Sequence, residues 1–190
     1  MPPESVHLTD PAALRALAHP TRIALLGELR SGGPSTVGRL AATLDEAPGS
    51  ISYHLHRLVA IGLVAEEPSL ARDGRERWWR AEHETTTVAP AQDRTDPERA
   101  AAGTALRREI TRGWAATQQE YLDAEPALPP EWVAAATQSD WLLHLTAAEL
   151  TELSAELEEL GDRWRARSGR ERPGTEQVVL LGSAFRRPRR

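Results

Sequence analysis

The sequence predicts an α+β protein, mainly helical, and three observations carry that prediction. Apolar residues recur at three- and four-residue spacing through most of the stretch up to Ile61. Two strand-like runs follow, with Asp73-Gly74 between them, which is a hairpin signal. Further on, leucines at 150, 153, 157 and 160 mark a long helix set between two short strand-like runs.

The elements follow in order. Thr9-Asp10-Pro11 opens a first helix: Asp10 can cap free backbone N–H groups, and Pro11 at the first helical position loses nothing by lacking its own. Leu14 and Leu17 give it an apolar face, and Pro20 ends it. A second helix runs from Pro20 to Arg30 with Ile23, Leu26 and Leu29 inward, and Ser31-Gly32-Gly33-Pro34 closes it. A third spans Thr36 to Leu44, with Val37, Leu40 and Leu44 inward. The turn Asp45 to Gly49 leads to a fourth helix, Ser50 to Ile61, stopped by Gly62. Its core stripe is Ile51, Leu55, Leu58 and Val59, and its other face carries Ser50, Ser52, Tyr53, His54, His56 and Arg57. Leu63 to Glu66 reads as a strand, Arg72 to Arg75 as a turn, and Glu76 to Ala81 as the returning strand. The last three of these helices and the hairpin make a winged helix-turn-helix, in a domain assigned to residues 10–84.

Residues 85–94 have little periodicity and read as a linker. Thr95-Asp96-Pro97-Glu98 then opens a long helix with Leu106, Ile110, Trp114 and Tyr121 on one stripe, running to Leu122. Pro126, Pro129 and Pro130 break the chain. Trp141 to Leu145 reads as a strand, Thr146-Ala147-Ala148-Glu149 as a capping box, and Gln177 to Arg186 as a last strand. The second region, 95–186, is therefore a long dimerisation helix followed by a small strand-helix-strand unit. The leucine series through Trp164 covers only about two heptads, fewer than a free-standing coiled coil needs, and is expected to lie on those strands.

Composition narrows the function. The chain of 190 residues has no cysteine, which excludes disulfides, thiolate metal sites and a cysteine nucleophile. Its apolar runs are too short to span a bilayer, and MPPESVHLTD lacks the features of a signal peptide, so a cytoplasmic location is expected. All 23 basic residues are arginine, and the net charge is −5, which is not the footprint of a nonspecific DNA-coating protein. Any nucleic-acid surface must concentrate its arginines on one face. No Gly-rich phosphate loop, His-Glu-x-x-His run or Gly-x-Ser-x-Gly elbow is present, so no enzyme activity and no cofactor are expected.

Ala18-His19-Pro20-Thr21-Arg22 at the second helix, Ser52-Tyr53-His54-Leu55 in the fourth, and the Asp-Gly wing together resemble the ArsR-type winged-helix repressors of bacteria. The resemblance covers roughly residues 10 to 90. The remainder resembles the C-terminal region of larger actinobacterial members. This implies a dimeric transcription regulator, a repressor released from a double-stranded DNA operator by an effector. In such an arrangement Tyr53 and Arg57 read base edges, Ser50, Ser52 and His54 contact phosphates, and His56 lies on the same face. Arg72, Arg75 and Arg77 in the wing either reach the minor groove or sit on a solvated hairpin tip. Leu106, Ile110 and Trp114 would pack against the same helix of a second copy, as the resemblance implies, or only on the chain's own second region.

Metal sensing, the best-known theme of that group, is not expected here. Thr36 to Leu44 contains neither Cys nor His, and the long helix has no His. Trp132, Trp141 and Trp164 either line an apolar pocket for a small-molecule effector or fill a core that enlarges the dimer interface. The alternative from another class is a winged-helix protein-interaction module that does not bind DNA, favoured by the acidic charge.

Overall fold

The computed structural model describes residues 5–72, 76–87, 96–169 and 172–188. It divides into two compact units, Met1–Asp123 and Ala124–Arg190.

In the first unit, α1 (Pro11–Leu17) starts as its sequence dictates: the Asp10 carboxylate accepts from the Ala13 backbone N–H at 2.9 Å, and Pro11 takes the first turn. α2 (Pro20–Gly32) follows at once, again with proline at its start. The strand β2 (Ser35–Thr36) leads into α3 (Val37–Leu44), whose N-cap is Thr36. Asp45 ends α3 in the left-handed region at φ 51°, a conformation that Asp tolerates better than most residues.

α4 (Pro48–Val59) begins two residues before the sequence suggested, because Pro48 is its first residue and not part of the turn. It ends two residues earlier as well. Gly62 adopts φ +71°, its N–H donates to the Val59 carbonyl at 2.9 Å, and the Leu63 N–H donates to the Leu58 carbonyl at 3.1 Å. That pair of bonds is a Schellman closure, which needs the left-handed conformation glycine adopts without strain.

The wing strands are β3 (Val64–Glu66) and β4 (Trp78–Ala81), antiparallel with Glu66 opposite Trp79. β2 joins the other edge of β4, giving the order β2-β4-β3. Alternation along β4 buries Trp79 and leaves Trp78 half-buried, as expected of neighbouring strand residues. The wing turn, residues 73–75, lies outside the described residues.

Residues 85–87, expected to begin a linker, are instead a strand: β5 (Thr85–Thr87) pairs in parallel with β1 (Ser5–His7). Three threonines suit a strand, but the partner lies about eighty residues upstream, where local sequence gives no hint of it. The Arg30 guanidinium helps hold this segment, donating to the His83 carbonyl at 2.9 Å and to the Thr86 hydroxyl at 2.7 Å.

α5 (Pro97–Ala124) covers the core with Ala102 and Leu106. The core itself gathers Leu14, Leu17, Leu25, Leu26, Leu29, Leu40, Ile51, Leu55, Leu58 and Trp79 from α1 to α4 and the wing. Fully burying a leucine stabilises a fold by about 1.5–3 kcal/mol, so this cluster is what holds α4 in place.

In the second unit, α6 (Pro130–Ala135) precedes α7 (Ala147–Arg167). The capping box at Thr146 and Glu149 forms as the sequence indicates, with each satisfying the other's backbone N–H. The two flanking strands do not form. Residues 141–145 and 177–186 carry no regular structure, so this region is a helix between extended segments and not strand-helix-strand. A strand needs a neighbour to satisfy its backbone, and neither segment has one among the described residues.

Candidate nucleic-acid interface

The helix-turn-helix is α3, the turn at Asp45–Ala47, and α4. Core packing fixes which side of α4 faces outward: Ile51, Leu55 and Leu58 have no exposed surface. On the outer side Tyr53 is 58% exposed, His56 and Arg57 are exposed, and Ser50 and Ser52 are half-buried. The His56 ring bonds the Ser52 carbonyl at 2.7 Å and stands edge-on to Trp79 at 5.3 Å between centroids. The Trp79 contact ties the outer side of α4 to the wing.

His54 corrects the expected face. It is only 7% exposed, packed beneath the helix with its ring centroid 4.5 Å from that of His19. Val59, expected inside, is 40% exposed. The two positions lie roughly 70° to either side of the Ile51–Leu55–Leu58 stripe, so helical periodicity does not choose between them. Packing against His19, at the start of α2, does. With so little surface, His54 is not positioned for a phosphate contact.

A polar cluster lies under the N-terminal half of α4. The Thr21 hydroxyl donates to Glu46 Oε1 at 2.6 Å, and the Ser50 hydroxyl donates to Glu46 Oε2 at 2.8 Å. Glu46 in the turn thus bridges α2 and α4. Those two hydrogen bonds, reinforced by the nearby His54 and His19, hold its carboxyl below the usual glutamate range. Arg22 Nη1 lies 3.4 Å from His54 Nδ1. Burial, then the neighbouring Arg57 charge, lowers the Arg22 pKa. Burial, then His19 and Arg22, lowers that of His54, against an opposing pull from Glu46. Sequence reading missed Glu46 and gave Arg22 no separate role. The signal available was that Thr21-Arg22 sits in a quoted motif, which pointed to helix start and not to a bridge.

Arg39 was also missed. Its guanidinium lies over the Trp78 ring at 4.8 Å, placing a cation at the edge of the wing sheet. Within the wing, the Arg72 backbone N–H donates to the Glu76 carboxylate at 3.2 Å, and Arg77 pairs with Glu66 at 3.5 Å, both side chains largely exposed. Arg75 lies outside the described residues.

Of the three residues expected at a dimer seam, Leu106 has no exposed surface and belongs to the core. Ile110 packs partly against that core, and Trp114 is half-buried. In the second unit Trp132 is half-buried, while Trp141 and Trp164 are 75% and 55% exposed. No ring of these three stacks on another; Trp164 instead carries the Arg167 guanidinium at 4.6 Å. A shallow depression on α7 is lined by Leu153, Glu156, Leu157, Glu159, Leu160 and Arg163, and includes none of these tryptophans. Among the described residues no three His, Asp or Glu side chains gather as metal ligands, and no helix is long and apolar enough to cross a membrane.

Residues 17–67 match the protein family described as a helix-turn-helix domain. Among solved structures, the chain is similar to an ArsR family transcriptional regulator at 31% identity, covering 89% of that chain and 60% of its own, with a TM-score of 0.32. It is also similar to Lactococcus lactis ZitR in complex with DNA, at 14% identity, 76% of this chain, 74% of that one and a TM-score of 0.31. A ZitR mutant in apo form gives 16% identity, 77% and 83% coverage, and a TM-score of 0.33. The likeness that carries weight is the first, and it is one of sequence. No protein of curated function matches the chain.

Proposed function

This chain belongs to the ArsR family of transcriptional regulators, and from that premise we propose that it is a homodimeric repressor that reads an operator with α4. The observation that carries the reading is the two-sidedness of this helix. One side is sealed into the core by Ile51, Leu55 and Leu58, while Tyr53, His56 and Arg57 stand outward beside the wing. An α-helix held this way enters the major groove with its outer residues against base edges. Tyr53 and Arg57 read bases, Ser50 and Ser52 approach phosphates, and Arg72 and Arg77 extend the contact from the wing. His54 supports the helix from within. Two copies, related by a two-fold axis, place their α4 helices about one helical turn of DNA apart.

The rest of the assignment follows from the family and from composition. Ile110 and Trp114 on α5 form the dimer contact, and the protein acts in the cytoplasm without catalysing a reaction. The effector that tunes release is not a metal, since the chain has no cysteine and α5 no histidine. The acidic net charge favours one second reading, a winged-helix module that binds protein instead of DNA.

Binding to a fragment of the chain's own upstream promoter, across a salt series, separates the two. The repressor reading expects retardation that weakens steeply with salt, because arginines displace counterions from phosphates. Arg57→Ala is expected to cost about 1–3 kcal/mol of binding and to relax specificity at one base pair. No retardation at low salt, or no salt slope, overturns it in favour of the protein-binding module.

A further inference from the structure

The surface without a function so far is the leucine face of α7. Leu150, Leu153, Leu157, Leu160 and Trp164 alternate spacings of three and four along its 21 residues. None is buried: Leu157 is 36% exposed and Trp164 55%. The helix is well made, with a full capping box at its start and basic residues in its last turn, yet it buries no residue at all. A stripe of this spacing is the seam of a two-helix contact.

The charges on α7 say what covers it. Glu149, Glu152, Glu156, Glu158 and Glu159 occupy the first part of the helix with no basic residue among them, and at the end Arg163, Arg165 and Arg167 outnumber the one acid, Asp162, which pairs with Arg165. Laid parallel in register against an identical helix, acid meets acid along most of the length. Laid antiparallel, the acidic half of each meets the basic end of the other, and the two helix dipoles also oppose favourably. An acidic face repels nucleic acid, so DNA is not its partner.

We propose that α7 is a second dimer contact, an antiparallel two-helix seam formed with α7 of a second copy of this chain. Leu157 packs against Leu160 of the other copy, Leu153 against Trp164, and Glu156 lies beside Arg163. Each contact occurs twice by symmetry. On the opposite flank Ser154 meets Gly161, two small residues that let the helices approach closely. The shallow depression lined by Leu153, Glu156, Leu157, Glu159, Leu160 and Arg163 lies along the flank that receives the other helix. About two heptads are too few to drive association alone. The inference therefore rests on the proposed homodimer, which raises the effective concentration of one α7 near the other.

The absence of cysteine makes the test direct. Single nitroxide labels are placed in the full chain at Thr151→Cys, Glu159→Cys and Ala166→Cys, and label separations are measured across the dimer. The antiparallel seam expects the shortest separation at position 159, with both ends longer by about 10 Å, from the helical rise and the spacing of paired helices. Equal separations at all three positions mean a parallel pairing and overturn the proposal. A chain that sediments as a dimer and retards DNA, but whose separation at 159 is no shorter than at the ends, overturns the seam and leaves the repressor reading intact. A monomeric chain overturns both. In the same protein Glu156→Arg is expected to weaken the dimer by about three- to tenfold, because two weak pairs are reversed at once, and adding Arg163→Glu to restore it. Failure of the second change to rescue the first overturns the pairing of these two residues.

Discussion

Every buried hydrophobic side chain among the described residues lies in the unit ending at Asp123, and none in the unit from Ala124 onward, although the second is richer in leucine for its length. The first unit folds α1 to α4, the wing and part of α5 around one cluster, so each apolar face meets another. The second has an equally regular helix and two apolar segments, but Trp141, Leu142, Val178 and Phe185 are each more than 70% exposed. Hydrophobic composition is thus not the same as a core. Burial requires opposed apolar surfaces, and a chain that supplies only one of them leaves the other to a partner.

The sharpest way to break this contrast is to truncate one leucine on each side of it. Leu55→Ala removes a side chain with no exposed surface at the centre of α4, and is expected to cost about 2–5 kcal/mol in urea unfolding followed by circular dichroism. Leu142→Ala, at 75% exposure, is expected to stay within about 0.5 kcal/mol. Equal losses at the two sites would mean that the second unit has a core of its own.

A smaller effect sharpens the comparison within the first unit, between apolar and polar support of α4. Glu46→Gln keeps the shape of the bridge between Thr21 and Ser50 but removes the charge that both hydroxyls donate to. Hydrogen bonds to a charged acceptor contribute about 1.5–3 kcal/mol each where buried, and Glu46 is only half-buried, so a loss of about 1–2 kcal/mol is expected. Operator affinity should fall with it, because the bridge ties α2 to α4, the helix proposed to read the operator. If stability falls and DNA binding does not, Glu46 supports the fold without positioning α4.

The first unit was the more legible for a physical reason. Its elements are set by local signals: Asp10 and Pro11 start α1, Gly62 ends α4, and the alternation of Trp78 and Trp79 orients the wing. What could not be read there depended on contacts distant in sequence. The choice between His54 and Val59 was settled by His19, and the strand at Thr85–Thr87 by residues 5–7. In the second unit the local signals were equally clear, and the capping box at Thr146 formed as expected. The strands failed because residues 141–145 and 177–186 have the pattern of strands without a partner among the described residues to pair with.

The smallest expected effect is that of a single proton on His54. Burial, then the neighbouring His19 and Arg22 charges, lowers its pKa, while Glu46 pulls the other way and Tyr53 contributes only an edge contact at 5.1 Å. The folded protein therefore holds His54 neutral where the unfolded chain already binds a proton. Above about pH 6.5 both states are neutral and the contribution to stability is complete. As pH falls below that value the unfolded chain gains its proton first, so stability declines until the lowered folded pKa is passed. Urea midpoints measured between pH 7.5 and 5.5 should decline more steeply for the natural chain than for His54→Gln, which has nothing to titrate at that position. The carboxyl of Glu46, lowered by its two hydroxyl donors, adds its own loss only nearer the ordinary glutamate range of about 4.3, so the two groups separate along the pH axis. Identical slopes for His54→Gln and the natural chain would show that His54 contributes nothing to this pH dependence.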